Sequence, residues 1–333
     1  MGLRYRPMQP SDVRNCVQVL TKVPAIGRRY GSAIADLGAA WQGLIGCEAM
    51  GTAVFEEVDG AQITTWGVGV GIFVHDDFVR ELKTPPLFWV GPELAKRVVR
   101  GDSPILSDND VREANSKEGL NLLVWEACPI PEFAKRPDAY HLMMTAFIDL
   151  YRGFLCKEAI TSQAESAERL QWSIDGGGLL WDAAQGRYVR SLGKDLAEVF
   201  REPHIVGTTP EVESGRLGSG VGPLFDYHRP ELGFSRGEQR LLLAALPGRT
   251  DEELCRELGT SVPTVKSMWR TIFNRTASRL PELFPDHLQM DARNAERGKE
   301  KRRHLLAYLR EHPEELRPVS RKFLLAPALK MPR

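Results

Sequence analysis

The chain of 333 residues contains 42% hydrophobic and 26% charged residues, and its formal net charge is zero. The length predicts two or three domains, and the composition is typical of a soluble globular protein. No run of about 18 apolar residues is present, so the sequence predicts no membrane span.

The opening segment and the cysteines both indicate a cytoplasmic protein. The sequence MGLRYRPMQPSDVRN is charged and lacks the apolar segment of a signal peptide. The five cysteines are odd in number, widely separated and without C-x-x-C spacing. We therefore expect free thiols in a reducing compartment, with no disulfide, no metal site and no cofactor.

Residues 1–165 are predicted to form one domain of α/β or α+β class. Apolar residues recur at helical spacing in several segments, and a further apolar run predicts a strand at Leu120–Glu126. The predicted helices cover Ser11–Leu20, Pro92–Arg100, Asp108–Ala114 and Ala139–Glu158.

A β-hairpin is also predicted in this domain. Segments 51–58 and 63–74 are rich in β-branched and aromatic residues, and the turn pair Asp59-Gly60 separates them. The second segment contains three alternating glycines, Gly67, Gly69 and Gly71. Their spacing differs from the G-x-G-x-x-G dinucleotide fingerprint and predicts a strand that another backbone approaches closely.

The opening YRPMQPSDV before a helix, together with the hairpin at Val54–Val74, resembles the GNAT-type N-acetyltransferases. In that family a Q/R-x-x-G-x-G/A loop after the long strand binds the pyrophosphate of acetyl-CoA through backbone N–H groups. The corresponding residues here are 75–80, which lack glycine and include Asp76 and Asp77. Two carboxylates would repel phosphates, so the resemblance implies a related shape without acetyl transfer.

The sequence predicts no catalytic site, and we expect that the protein is not an enzyme. His75 lies beside Asp76 and Asp77, which suits either a metal or acid–base cluster or, as we favour, an ordinary surface loop. His141 is expected at the edge of the core, and His204 in a loop. No G-x-S-x-G, H-E-x-x-H or paired-carboxylate spacing occurs.

Residues 166–233 are predicted to form a small β-containing subdomain and a linker. Two short strands are expected around the turn Gln185-Gly186. Residues 208–222 are rich in Gly, Ser, Thr and Glu, which predicts a flexible loop. Residues 223–233 contain prolines and aromatic residues that are typical of a stiff linker.

Residues 234–285 are predicted to form three helices of an all-α domain. Gly259 suits the left-handed position of a tight turn, after which a third helix is expected over about 262–279. Two capping boxes begin the first two helices, Ser235 with Glu238 and Thr250 with Glu253.

The predicted third helix has two chemically different faces. Its apolar residues recur at i, i+3, i+4 and i+7 and are expected to face the core: Val265, Met268, Trp269 and Ile272. The opposite face carries polar and cationic side chains that suit the phosphates and base edges of DNA. The candidate DNA-binding residues are Ser261, Thr264, Lys266, Ser267, Arg270, Thr271 and Asn274.

This segment resembles the LuxR-type helix-turn-helix of bacterial transcription regulators over about 45 residues. The residues that carry the resemblance are Phe234-Ser235, Glu238, Gly248, Glu253, Leu254, Leu258, Ser261 and Thr264-Val265-Lys266. It implies that the third helix enters the DNA major groove. It also implies that the positions of Lys266, Ser267 and Arg270 reach base edges, and that the position of Thr264 contacts a phosphate.

The chain departs from the LuxR-type pattern at three positions, none of which breaks a predicted helix. Gly237 stands where arginine is usual, Met268 where histidine is usual, and Trp269 where a smaller aliphatic residue is common. Related helices also occur in the promoter-reading regions of sigma factors. Nothing upstream resembles the aromatic-rich helix with which a sigma factor melts promoter DNA, so a regulator is favoured.

Residues 286–333 are predicted to be a basic helical extension. A helix is expected over Ala292–Glu311, and its apolar residues are Leu305, Leu306, Tyr308 and Leu309. Its basic residues are Arg297, Lys299, Lys301, Arg302 and Arg303. Two interpretations stay open: a helix that contacts phosphates or mediates dimerisation, or a solvated charged face.

The charge distribution supports a polyanionic partner for the C-terminal part. Residues 234–333 contain 20 basic and 13 acidic residues, which leaves 24 basic and 31 acidic residues for the rest. We predict a transcriptional regulator that binds double-stranded DNA as a homodimer, with an N-terminal domain that senses a ligand or partner. RNA polymerase is a further candidate partner. The alternatives are a GNAT-like acyltransferase fused to a DNA-binding module, and a protein-interaction adaptor.

Overall fold

The structure, a computed structural model, describes residues 2–162, 166–214, 216, 218–285 and 295–318. The chain divides into two compact units, Met1–Asp226 and Tyr227–Arg333, which we call unit 1 and unit 2. The fold is mixed α/β, as predicted. Within the described residues, no helix has both the length and the apolar character needed to cross a membrane.

Unit 1 contains one eight-stranded sheet surrounded by helices. The strands are β1 Gly2–Arg6, β2 Met50–Asp59, β3 Gln62–Val74, β4 Leu120–Pro129, β5 Cys156–Thr161, β6 Leu179–Asp182, β7 Arg187–Val189 and β8 Val206–Thr208. The helices are α1 Val13–Thr21, α2 Pro24–Tyr30, α3 Ile34–Leu44, α4 Asp76–Leu82, α5 Val90–Arg100, α6 Asp108–Ser116, α7 Pro137–Tyr151, α8 Ala167–Asp175, α9 Leu196–Val199 and α10 Pro210–Glu213. Short 3-10 turns lie at Pro10–Asp12, Gly31–Ala33 and Gly222–Leu224.

The strands lie in the order β1-β2-β3-β4-β5-β8-β6-β7. Neighbouring strands are antiparallel except for β4 and β5, which are parallel. A parallel pair requires a crossover connection, and α7 supplies it. Within residues 166–233, predicted as a small β-containing subdomain and linker, β6, β7 and β8 belong to this same sheet.

The predicted hairpin is confirmed as β2 and β3, and the β3 glycines permit close packing. At Gly67 a side chain would meet the backbone of the next strand, since a Cβ atom there would lie 3.2 Å from the Cys128 carbonyl oxygen. At Gly71 the close neighbour is instead Tyr151, whose hydroxyl donates a hydrogen bond to the Gly51 carbonyl at 3.0 Å. The predicted approach of another backbone therefore holds at Gly67 only.

Two predictions of secondary structure in unit 1 are wrong. The helix predicted to reach Glu158 ends at Tyr151, and Cys156–Thr161 is a strand. Gly153 has a φ of 86°, a left-handed conformation that breaks the helix and that glycine adopts readily. Residues 208–222, predicted as a flexible loop, include the end of β8 and the helix α10, which Thr209 caps.

His204 is buried in unit 1, and it makes the stability of this unit depend on pH. The imidazole is 4% exposed, and its Nδ1 hydrogen bonds to the Glu202 carbonyl at 2.9 Å. Burial, with a smaller contribution from the positive charge of Arg29, lowers the pKa of His204 below its ordinary value. An unfolded chain therefore binds a proton that the folded chain does not bind.

The free energy of unfolding of unit 1 is expected to fall as the pH is lowered through the ordinary histidine range near 6.5. The slope from this group is at most about 1.4 kcal/mol per pH unit. Urea unfolding followed by tryptophan fluorescence at several pH values measures the slope. His204→Gln should reduce it, whereas the exposed control His141→Gln should leave it unchanged. An unchanged slope in His204→Gln would contradict this assignment.

The regular secondary structure that the described residues of unit 2 contain is helical. The helices are α11 Arg236–Ala245, α12 Asp251–Leu258, α13 Val262–Arg279 and α14 Ala295–Glu311, with short 3-10 turns at Pro281–Leu283 and Pro313–Leu316. The described part of the predicted C-terminal extension, residues 295–318, packs into the same core as α11 to α13. It contributes the buried side chains of Leu305, Leu306, Leu309 and Leu316.

A buried carboxylate in the turn Pro313–Leu316 binds the start of unit 2. Glu315 is 2% exposed, and its carboxylate accepts hydrogen bonds from the backbone N–H groups of Glu231 at 2.7 Å and Leu232 at 3.0 Å. Burial raises the pKa of Glu315, although these hydrogen bonds act in the opposite direction. The extension therefore has a structural role in unit 2 that the sequence did not predict.

Candidate nucleic-acid interface

The helix predicted over about 262–279 is α13, Val262–Arg279. Ser261 precedes it in an extended conformation and caps it, since its hydroxyl accepts a hydrogen bond from the Thr264 N–H at 3.3 Å. Pro263 lies in the first turn, where the absence of an N–H group costs no hydrogen bond. Local sequence therefore determines where this helix begins.

Two further helices precede α13, and both predicted capping boxes are confirmed. Ser235 and Glu238 form the first at the start of α11, and Thr250 and Glu253 form the second at the start of α12. Gly259 follows α12 with φ 62° and ψ 39°, the predicted left-handed conformation. Only the two residues Thr260 and Ser261 then separate Gly259 from α13.

The buried face of α13 agrees with the prediction. Val265 and Ile272 are 0% exposed, Trp269 is 6% exposed, and Met268 is partly buried. The Trp269 ring stacks on Phe273, with 5.5 Å between the ring centroids. These apolar side chains pack against α11 and α12 in one core.

The opposite face of α13 is exposed along four turns. It contains all seven candidate residues: Ser261, Thr264, Lys266, Ser267, Arg270, Thr271 and Asn274. Three hydroxyl groups have internal partners, because those of Thr264 and Ser261 hydrogen bond to each other at 2.9 Å and that of Thr271 donates to the Ser267 carbonyl at 3.2 Å. No described carboxylate lies within ion-pair distance of Lys266 or Arg270, so both cations face solvent.

Three of the four acidic residues of α12 make internal contacts. The carboxylate of Glu253 accepts a hydrogen bond from the Thr250 N–H at 2.7 Å, and this lowers its pKa. Glu257 forms an ion pair with Arg249 at 2.8 Å. Asp251 forms one with Arg302 at 2.9 Å. These contacts reduce the repulsion that the acidic turn would exert on an anionic ligand near α13.

Arg302, in the basic run of the extension, makes contacts within unit 2. Its guanidinium binds Asp251, donates a hydrogen bond to the Arg249 carbonyl and lies 4.6 Å from the centroid of the Trp269 ring. Lys301 lies 5.6 Å from the centroid of Phe284. Both cations stabilise unit 2 internally, whereas Lys299 and Arg303 are exposed. The side chain of Arg297 lies outside the described residues.

Arg302→Ala is expected to lower the free energy of unfolding of unit 2 by about 1–3 kcal/mol, because it removes a charged hydrogen bond and a cation–π contact. Hydrogen exchange of the α12 and α13 amides measures this loss in the intact protein. Arg303→Ala is the matched control, since it removes the same charge from an exposed neighbour. Equal protection in the two variants would show that Arg302 does not hold α14 in place.

The histidine candidates of unit 1 do not form a site. Asp76 begins α4, where it hydrogen bonds to Asn121 at 2.6 Å and forms an ion pair with Lys157 at 2.6 Å. Asp77 forms an ion pair with Arg80, one turn further along α4. No group of three or more potential metal ligands occurs within the described residues.

The remaining histidine and the cysteines of unit 1 do not form a cluster. His141 is exposed on α7, which differs from its predicted place at the core edge. Burial raises the pKa of Cys16 and of Cys156 to about 12, so both remain protonated thiols at neutral pH. None of the five cysteines forms a disulfide.

The exposed face of α13 is therefore the candidate site that local sequence, burial and charge define together. No known protein family, curated protein or solved structure matches the chain. The functional inference depends on the geometry and charge of this face.

Proposed function

We propose that the protein is a DNA-binding transcriptional regulator of the bacterial cytoplasm, in which α13 enters the major groove. The observation that carries this proposal is the exposed face of α13, on which Lys266 and Arg270 lie one turn apart above a fully packed opposite face. A helix of this kind fits the major groove, where Lys and Arg bind guanine edges.

The proposed DNA contacts divide into two classes, those to phosphates and those to bases. The start of α13 presents Ser261 and Thr264 close to backbone N–H groups, which suits a phosphate. Lys266, Ser267 and Arg270 lie further along the exposed face and would select the base sequence. The LuxR-type resemblance supports the same division of roles.

None of the three departures from the LuxR-type pattern is one of the residues proposed to contact DNA. A side chain at Gly237 would lie 4.0 Å from the Met268 methyl group, so these two departures are neighbours. Trp269 packs beneath Arg302 of α14. The polar face of α13 is therefore unchanged by these three departures.

Under this proposal unit 1 senses a ligand or a partner, and the protein binds paired half-sites as a homodimer. RNA polymerase is a candidate partner for the DNA-bound form. A gel-shift assay with genomic fragments, including the DNA upstream of its own gene, tests the proposal. Absence of any shifted fragment at low salt would contradict it and favour a protein-interaction adaptor.

DNA binding is expected to weaken steeply with salt. Each phosphate that the protein neutralises contributes about −0.9 to the slope of log K against log salt concentration. If Lys266 binds a phosphate, Lys266→Ala should reduce that slope by about one contact. Binding titrations between about 50 and 200 mM KCl measure this slope. A salt-independent affinity would contradict a phosphate-dominated interface.

The enzymatic alternative is a GNAT-like acyltransferase joined to a DNA-binding module. Residues 75–80, which the resemblance aligns with the pyrophosphate loop, consist of His75 and the start of α4. Both carboxylates of that turn have cationic partners, and no glycine is present there. Calorimetric titration with acetyl-CoA distinguishes the alternatives, because micromolar binding with turnover of an amine would favour the enzyme.

A further inference from the structure

Unit 1 contains a cavity of about 200 Å³ between α7 and the sheet. Residues of β2 to β5 and β8 line one side, and Met143, Met144 and Phe147 of α7 line the other. Trp172 of α8 lies at the cavity as well, and it is 36% exposed. For scale, an engineered cavity of about 150 Å³ holds benzene.

Small residues in register across three strands create this space. Gly69 of β3 pairs with Ala53 of β2 on one side and with Ala127 of β4 on the other, and all three line the cavity. A Cβ atom at Gly69 would lie 3.4 Å from the Phe55 ring, which is an ordinary contact distance. A larger side chain at this position would therefore extend into the cavity without displacing the sheet.

The lining favours an aromatic occupant. Phe55, Phe147 and Tyr151 present rings, and Met143 and Met144 present thioethers, which make favourable contacts with ring edges. At the exposed side, Tyr140 and Trp172 form an edge-to-face pair with centroids 5.6 Å apart.

The buried polar groups at the cavity favour a neutral occupant. Among the described lining residues the one carboxylate is Glu126, which is 0% exposed. It accepts a hydrogen bond from the Tyr30 hydroxyl at 2.6 Å and forms an ion pair with Arg29 at 3.4 Å. Its charge is already compensated. The lining cation Arg169 also has partners, and its guanidinium lies 5.4 Å from the centroid of the Trp172 ring, so a second buried charge would need a partner of its own.

Two lining hydroxyl groups are available as acceptors and not as donors. Thr208 is 2% exposed and donates its proton to the Glu213 carboxylate at 2.6 Å. Ser173 donates its proton to the Arg169 carbonyl at 3.1 Å. A hydroxyl group has a single proton, so toward the cavity both oxygens can only accept a hydrogen bond.

We propose that this cavity binds a neutral single-ring aromatic compound with one hydrogen-bond donor, of the phenol class. The ring occupies the part of the cavity that Met144 and Ala159 line, and its hydroxyl donates to Thr208 or Ser173. The inference deepens the proposed function, since it gives unit 1 a ligand to sense. Occupancy itself does not require DNA, so the two proposals can fail independently.

The test is an NMR titration of the full chain, which carries ¹³C at its methionine methyl groups. The ligand added is p-cresol. Saturable shifts are expected at Met143 and Met144, with a dissociation constant of about 1 mM or tighter. Met8 in the core of unit 1 and Met268 in unit 2 are internal controls that should not move. Equal shifts at all four methyl groups, or none at Met143 and Met144, would overturn the site.

Two matched ligands test the ligand class. Toluene lacks the donor and should bind several-fold more weakly than p-cresol. The anion 4-methylbenzoate has a similar ring but a buried charge, and it should bind at least tenfold more weakly. Tighter binding of 4-methylbenzoate, or equal binding of toluene, would overturn the neutral-donor assignment.

A cavity-filling variant tests the location. Ala159→Leu should weaken p-cresol binding at least tenfold, because Ala159 lines the cavity and pairs with Thr208 across β5 and β8. Ala184→Leu is the control, because Ala184 is exposed between β6 and β7. Unchanged affinity in a folded Ala159→Leu protein would overturn the location. Should that variant not fold, the methyl shifts of the unmodified protein still decide the question.

Discussion

Trp269→Ala is expected to lower the free energy of unfolding of unit 2 by about 3–5 kcal/mol. The indole ring is 6% exposed, stacks on Phe273 and lies beneath the guanidinium of Arg302. Its removal leaves a cavity where α13 meets α14, and it also removes the cation–π contact that holds Arg302. Amide exchange of α11 to α14 measures the loss in the full chain.

Thr271→Ala is the control for Trp269→Ala, since Thr271 lies on the exposed face of the same helix. The control variant should change the stability by less than about 1 kcal/mol. If Trp269→Ala unfolded with an unchanged melting curve, α13 would have to be rotated about its axis. The exposed face proposed for DNA would then be wrong as well.

Arg270→Ala is expected to weaken binding at a specific DNA site by about 1–3 kcal/mol, or roughly 5–150-fold. The fold should remain intact, because the side chain is exposed and has no ion-pair partner among the described residues. Lys266→Ala should also weaken binding. Fluorescence anisotropy on a mapped site and on a scrambled site separates a loss of specificity from a uniform loss of affinity.

Arg236→Ala provides the matched charge control for these DNA-binding variants. Arg236 is exposed in the first turn of α11, so its removal changes the net charge equally without altering the α13 face. Affinity in this variant should remain within about threefold of the unmodified protein. Unchanged binding by the Lys266→Ala, Arg270→Ala double variant would exclude α13 as the reading helix.

Much of unit 2 could be predicted because its signals are local. A capping box involves residues three apart, and a helix face involves residues three or four apart, so neither depends on distant parts of the chain. The starts of α11, α12 and α13 and the left-handed Gly259 therefore appear where the sequence places them. The exposure of all seven candidate residues follows from the same spacing.

The sheet of unit 1 could be predicted only in part. The sequence predicts the β2–β3 hairpin because its two segments are rich in β-branched residues and are separated by a turn pair. The short strands β1, β5 and β8 lack such a signal, and each pairs with a strand distant in sequence or across a helix. Pairing partners of this kind depend on the assembled sheet, which local patterns do not encode.

The sequence by itself determined the helices of unit 2, their caps and the division of α13 into an apolar and a polar face, because helical periodicity is a property of neighbouring residues. Only the tertiary structure decided which basic side chains of unit 2 are exposed to solvent. Arg302 and Lys301 turned inward onto Trp269 and Phe284, whereas Lys266 and Arg270 remained exposed. It also decided that the row Ala53, Gly69 and Ala127 opens a cavity, because strand register, not sequence spacing, brings those residues together.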